Sequence, residues 1–144
     1  MELLTEISVV FYSWSLFYLF GWSEAFHWHY FAKSKEKLEQ RYEHELWTVI
    51  RFMVHLPVGI YLFNQFGWFV LLGVAGLIAS SILVHDGSYY SWRNKLDGSY
   101  PKGWKSYSIS STAKFTLDYS DRIGLFCYGV LAIGLMFLSK YDGI

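Results

Sequence analysis

Five histidines, with a few acids and arginines at helical spacings, carry whatever chemistry this chain performs. Glu24 and His27 make Glu-x-x-His, the i, i+3 spacing by which helical bundles present a carboxylate and an imidazole inward to one metal. His44, Thr48, Arg51 and His55 fall at i, i+4, i+7 and i+11, a single stripe along a helix. Ser81, His85 and Tyr89 form a second stripe, with Asp86 and Arg93 one phase around. Imidazole and carboxylate donors without a thiolate cluster point to zinc, iron or manganese. Three ligands drawn from Glu24, His27, His44, His85 and Asp86 would leave an open position for water, which zinc makes nucleophilic near neutral pH. Arg51, His55 and Arg93 are the candidate catalytic groups. Arg51 and Arg93 would serve as cations for the phosphate or carboxylate head of a lipid-like substrate, with Lys95, Lys102 and Lys105 nearby. Haem is the weaker cofactor candidate. Counting puts His55 about 15 Å from the level of His85, so only His27 or His44 could share a haem with it.

These residues must be positioned by elements built for a membrane. The chain is 53% hydrophobic and 22% aromatic, more aromatic than a soluble chain of 144 residues could hide. From Leu56 to Val84 there is no charged side chain. Four apolar runs, 7–30, 46–63, 67–89 and 117–138, each approach the ~20 residues a membrane helix needs. They lack the alternation of barrel strands, so the expected fold is all-α: one integral membrane four-helix bundle spanning 1–144. The first connection, Lys33 to Glu45, mixes charges of both signs along helix faces and is expected to be a cytoplasmic helical extension between helices 1 and 2. Asn64 to Gly67 is the expected tight turn, and Asp97-Gly98 and Tyr100-Pro101 are turn signals in the third connection.

Formal charge is +0, so nothing favours nucleic acid as a partner. Eleven of the twelve Lys and Arg lie on or next to the first and third connections, leaving Lys140 on the other side. The positive-inside rule then puts both termini outside and the polar connections in the cytoplasm, as in a bacterial inner (plasma) membrane protein. The acidic start, Glu2 and Glu6, does not suit a signal peptide, so the first span is expected to be retained. The lone Cys127 excludes an intrachain disulfide.

Measured from a turn at Asn64 to Gly67, His85 is level with His44 and Glu45, while Arg51 and His55 lie one to two turns deeper. Glu24 and His27 of the first helix and Asp118 and Asp121 of the fourth reach the same cytoplasmic layer. Polar groups at membrane depth are costly and should face the bundle interior. Pro57 cannot donate to the carbonyl of Met53, so a bend is expected just above His55. His29 belongs to an interfacial aromatic belt with Trp28 and Tyr30, and Asp118 and Asp121 also suit the positive N-terminal end of the last helix.

Leu83-Val84-His85-Asp86-Gly87, with Trp92-Arg93 after it, resembles a region of the carotenoid and fatty-acid hydroxylase superfamily, and Glu24 to His29 is similar to that family's first histidine motif. The resemblance implies a small four-helix membrane fold with a histidine-bound di-iron centre on the cytoplasmic side. The family needs more histidines than the five present, and Tyr90 stands where a histidine partner of His85 would be. What carries over is a cytoplasmic cavity shared by His27, His85 and Asp86. Asp86-Gly87, Arg93, Asp118 and Asp121 also resemble the acidic signature of CDP-alcohol phosphotransferases, at different spacing. Two functions follow as expectations: a membrane enzyme or metal-binding protein acting on a lipid-like substrate, or a non-enzymatic oligomeric module such as a channel or complex subunit. Glycines at 73, 76, 124, 129 and 134 suit the close helix approach that homo-oligomers use.

Overall fold

The computed structural model describes residues 2–32, 37–99 and 117–141. These form four helices: α1 (Glu2–His27), α2 (Lys37–Phe66), α3 (Val70–Leu96) and α4 (Tyr119–Tyr141). A turn of π-helix, Trp28–Ala32, follows α1, and a 3₁₀ turn, Gly67–Phe69, joins α2 to α3. No strand occurs among the described residues. Three helical segments, Leu3–Phe31, Glu45–Leu96 and Tyr119–Lys140, are long and apolar enough to cross a membrane, consistent with an integral membrane protein. The second of these takes in most of α2 and all of α3.

Side-chain registers give the topology. Pairs between α1 and α3, Trp14 with Ser80 and Tyr18 with Ser88, rise together, so these helices are parallel. Arg51 of α2 meets Glu24 and His55 meets Phe17, so α2 runs antiparallel to α1. Asp86 meets Arg122 near the start of α4 and Gly73 meets Met136 near its end, so α4 runs antiparallel to α3.

Helix α3 is the centre because its small residues let two neighbours approach. A Cβ on Gly76 would lie 2.5 Å from the carbonyl of Gly129, and one on Gly129 would lie 2.5 Å from the carbonyl of Gly76. On the other side, Gly21 lets α1 lie against the His85 carbonyl, and Ser88 Oγ donates to the Tyr18 carbonyl at 2.7 Å. Gly73, Gly76 and Gly129 are therefore spent inside the bundle, whereas Gly124 and Gly134 face open space.

The apolar core, including Val10, Leu62, Phe66, Val70, Leu77 and Met136, sits toward the Gly67 turn. Above it the fully buried Glu6 pairs with Lys140, whose Nζ also donates to Gln65 Oε1 at 3.3 Å, so one ion pair ties the ends of α1, α2 and α4. Glu6, Val10, Ser13 and Glu24 fall on one helical face, all buried.

The helix α2 begins at Lys37, inside the first charged connection, as its charge pattern predicts, and continues through Pro57. Other expectations shift. The turn lies at Gly67–Phe69 rather than at Asn64 to Gly67, because Gly67 alone among the described residues takes a positive φ, 54°, which only glycine adopts without strain. The helix α3 ends at Leu96, where Asp97 Oδ1 accepts from the backbone N–H of Ser99 at 3.1 Å and from its hydroxyl at 2.7 Å. Tyr100-Pro101 lies outside the described residues.

Candidate functional site

Moving the turn moves the level at which α2 and α3 face each other. Arg51 and His85 stand equally far in sequence from the two ends of Gly67–Phe69, so Arg51, not His44 or Glu45, is the residue opposite His85. Around this pair the structure assembles a network from all four helices. Glu24 of α1 is buried, and its Oε2 lies 2.9 Å from His85 Nε2 and 3.6 Å from an Arg51 Nη. Arg51 Nη1 lies 3.3 Å from the same Nε2. On the other ring edge His85 Nδ1 is 3.1 Å from Asp86 Oδ1, and Asp86 Oδ2 is 3.4 Å from Nε of the fully buried Arg122. The imidazole lies parallel to the Tyr89 ring, and the Arg122 guanidinium sits over Tyr90 at 5.6 Å.

Two carboxylates and two guanidiniums balance in formal charge. The imidazole is the variable member. With one ring proton only one carboxylate receives a hydrogen bond from it, and with two both do. Gain or loss of a proton therefore changes which carboxylate the ring serves.

The sequence-selected residues divide. Glu24, Arg51, His85 and Asp86 come together as described. His27 does not join them: its Nε2 lies 3.2 Å from Glu43, and its ring sits against Trp47 and Phe31. The two residues of the i, i+3 pair thus meet different partners. The side chain of His44, and Lys102 and Lys105, lie outside the described residues. His55 is stacked on Phe17 at 4.2 Å, and its Nδ1–H donates to the Arg51 carbonyl at 2.7 Å. Arg93 is buried, its guanidinium 6.0 Å from the centre of the Tyr89 ring. His29 packs edge-on against Tyr30.

Among the described residues no group of three His, Cys, Asp or Glu side chains stands in a metal-holding arrangement. Glu24 and Asp86 approach opposite nitrogens of His85, and Arg51 lies against both Glu24 and Nε2. As arranged, these residues form an ion-paired network in which both ring nitrogens of His85 have partners.

Asp118 and Asp121 stand apart at the start of α4. The Asp121 N–H donates to Asp118 Oδ1 at 2.8 Å and the Asp118 N–H to Asp121 Oδ2 at 3.0 Å, the reciprocal pattern of a capping box. We expect Asp118→Ala to cost about 1 kcal/mol of stability, the usual value of an N-cap, and to leave ligand binding unchanged. Equilibrium unfolding and binding measured on one preparation check this.

Arg122 and Glu6 were missed by sequence reasoning, although a signal existed. Arg122, Gly129, Ile133 and Met136 fall at i, i+7, i+11 and i+14, one buried face of α4. Arg122 adjoins Asp121 and the basic third connection, which disguises it as a topology determinant.

Beside the network lies an apolar cleft of about 380 Å³ between α1, α2 and α3, bounded by Phe17, Phe52, Gly59, Phe63, Val74 and Ile78 among others. Among the described residues His55 is the only polar side chain lining it. Arg51 joins the two features: its carbonyl holds the His55 ring and its guanidinium meets Glu24 and His85. Comparison with protein-family models, with curated proteins and with solved structures finds no match to this chain.

Proposed function

We propose that this chain is a small integral membrane protein that takes a lipid-like amphiphile into the cleft between α1, α2 and α3 and handles its polar end beside the Glu24, His85 and Asp86 relay. One observation carries the reading: the cleft is lined by His55, which Arg51 ties to that network. A volume of about 380 Å³ lies within the usual range of ligand sites, and an almost wholly apolar lining suits a hydrocarbon chain. His85, between two carboxylates, is placed to give or take a proton, the contribution expected of a general acid or base. The distribution of Lys and Arg orients the relay end toward the cytoplasm with both termini outside, in a plasma membrane.

A metal-dependent form of this chemistry requires Arg51 to withdraw from Glu24, and about one or two ions per purified chain would favour it.

The test uses the cleft itself. Gly59 lines it, and a Cβ placed there meets nothing within 4 Å, so Gly59→Trp fills the space without a backbone clash. In nanodiscs, a photoactivatable single-chain lipid should label α2 and α3 around the cleft in the wild type. Labelling there should fall about tenfold in Gly59→Trp, the loss expected when roughly 1.4 kcal/mol of apolar contact is removed. Labelling spread evenly over all lipid-facing surfaces, and unchanged by Gly59→Trp, would overturn the reading.

A further inference from the structure

Burial along α2 changes abruptly at its proline. Val58, Leu62 and Phe66, at i, i+4 and i+8, are buried and belong to the apolar core. From Tyr42 to Pro57 no described residue is buried, and Leu46, Val49, Phe52 and Met53 are more than half exposed. Pro57 marks the boundary. It has no N–H for the Met53 carbonyl, so the helix lacks a backbone bond at the level where its packing also stops. Helices bend at such residues.

The two halves of α2 are held differently. In lipid, helices associate through close packing and interhelical polar contacts rather than by withdrawing apolar surface from water. The outer half has the packing, with Gln65 beside it sharing Lys140 with Glu6. The inner half reaches α1 and α3 through the ends of side chains. Arg51 lies 3.6 Å from Glu24 and 3.3 Å from His85, Glu43 lies 3.2 Å from His27, and His55 is stacked on Phe17. Helices α1, α3 and α4 are instead joined by close backbone approach at Gly21, Gly76 and Gly129, whereas a Cβ on Gly59 of α2 meets nothing within 4 Å.

We infer that the inner half of α2 is a lateral gate that swings away from α1 and α3 about Pro57, with Arg51 to Glu24 and Glu43 to His27 as its latches. The outer half stays in the core, and the unit of α1, α3 and α4 stays intact. Opening uncovers Glu24 and His85 to the side of the bundle. Arg51 stands six residues from Glu45, close enough to the polar end of α2 for its guanidinium to reach the interface when the latch parts. The motion follows from how α2 is held and does not rest on the amphiphile reading, which it supplies with an entrance.

Spin-label distances on the full chain in nanodiscs test it. Cys127 of α4 is exposed and serves as the fixed reference, paired with Val49→Cys on the inner half of α2 or Phe63→Cys on the outer half, both exposed positions. Arg51→Met with His27→Phe cuts both latches and keeps apolar bulk in place. In that variant the ratio of long to short distances for the Val49 pair should rise about tenfold, the change that roughly 1.4 kcal/mol of lost contact produces, while the Phe63 pair keeps its wild-type distance. Arg51→Met alone should give about half that effect in free energy, about a threefold rise, and carries the test where the double variant does not fold. Adding Pro57→Ala returns a donor to the Met53 carbonyl and should restore most of the short distance. A Val49 pair unmoved by cutting the latches, a Phe63 pair that lengthens with it, or a long distance indifferent to Pro57→Ala overturns the gate. Photolabelling of the cleft is read separately, so failure of the gate and failure of the amphiphile reading are distinguishable.

Discussion

Glu24→Ala should be the most damaging single change at the site, lowering stability by about 3 kcal/mol and abolishing function. Glu24 is buried, and its Oε2 is the shared partner of His85 and Arg51. Removing one member of a buried ion pair leaves the other uncompensated, a loss of roughly 3 to 5 kcal/mol. The lower end applies because the Arg51 side chain keeps 21% of its surface exposed. Adding Arg51→Met to Glu24→Ala should restore part of the loss, since the orphaned cation goes with its partner. Equilibrium unfolding in mixed micelles measures both. A Glu24→Ala protein within 1 kcal/mol of the wild type, with no recovery in the double variant, would mean that the network carries no energy.

The second large effect lies at the crossing of α3 and α4. In Gly129→Ala the new methyl would stand 2.5 Å from the Gly76 carbonyl and 2.8 Å from the Ser80 amide nitrogen, both backbone atoms that cannot rotate away. The helix α3 cannot retreat, because its other face is locked to α1 by the Ser88 to Tyr18 bond and by Trp14 Nε1 donating to Ser80 Oγ at 2.9 Å. Overpacking of this kind costs about 1 to 3 kcal/mol, and the upper end is expected where backbone meets backbone. Gly134 supplies the control, since a Cβ there meets nothing and removing a helical glycine stabilises by roughly 0.5 to 1 kcal/mol. Equal stability of Gly129→Ala and Gly134→Ala in thermal unfolding would contradict the close crossing. The same separation would draw Arg122 from Asp86, so binding should weaken in Gly129→Ala and not in Gly134→Ala.

The Arg122 contact shows why part of the site lay beyond local pattern. Its neighbours along α4 announce a buried face, yet nothing in the chain near residue 122 names Asp86 as its partner, since the two are brought together by the Gly76 and Gly129 crossing. His27 is the converse case. Its spacing from Glu24 satisfies the metal-ligand pattern, but its ion-pair partner is Glu43 of α2, at 3.2 Å.

By itself the sequence determined the helical class, the apolar spans and the level at which Glu24, His85 and Asp86 could meet, because lipid demands internal backbone bonding and a helix rises by a constant step. It also marked α2 as continuing into the charged connection. Tertiary structure decided which of the ionisable groups at that level touch. One residue of positive φ at Gly67 re-registered α2 against α3 and exchanged Arg51 for His44 opposite His85. The close approaches at Gly21, Gly76 and Gly129 then chose Arg122 as the partner of Asp86 and left α2 far enough from its neighbours to open the cleft. Rise per residue is a property of the backbone alone, whereas rotation and separation of helices depend on which side chains meet, and that information is shared between distant parts of the chain.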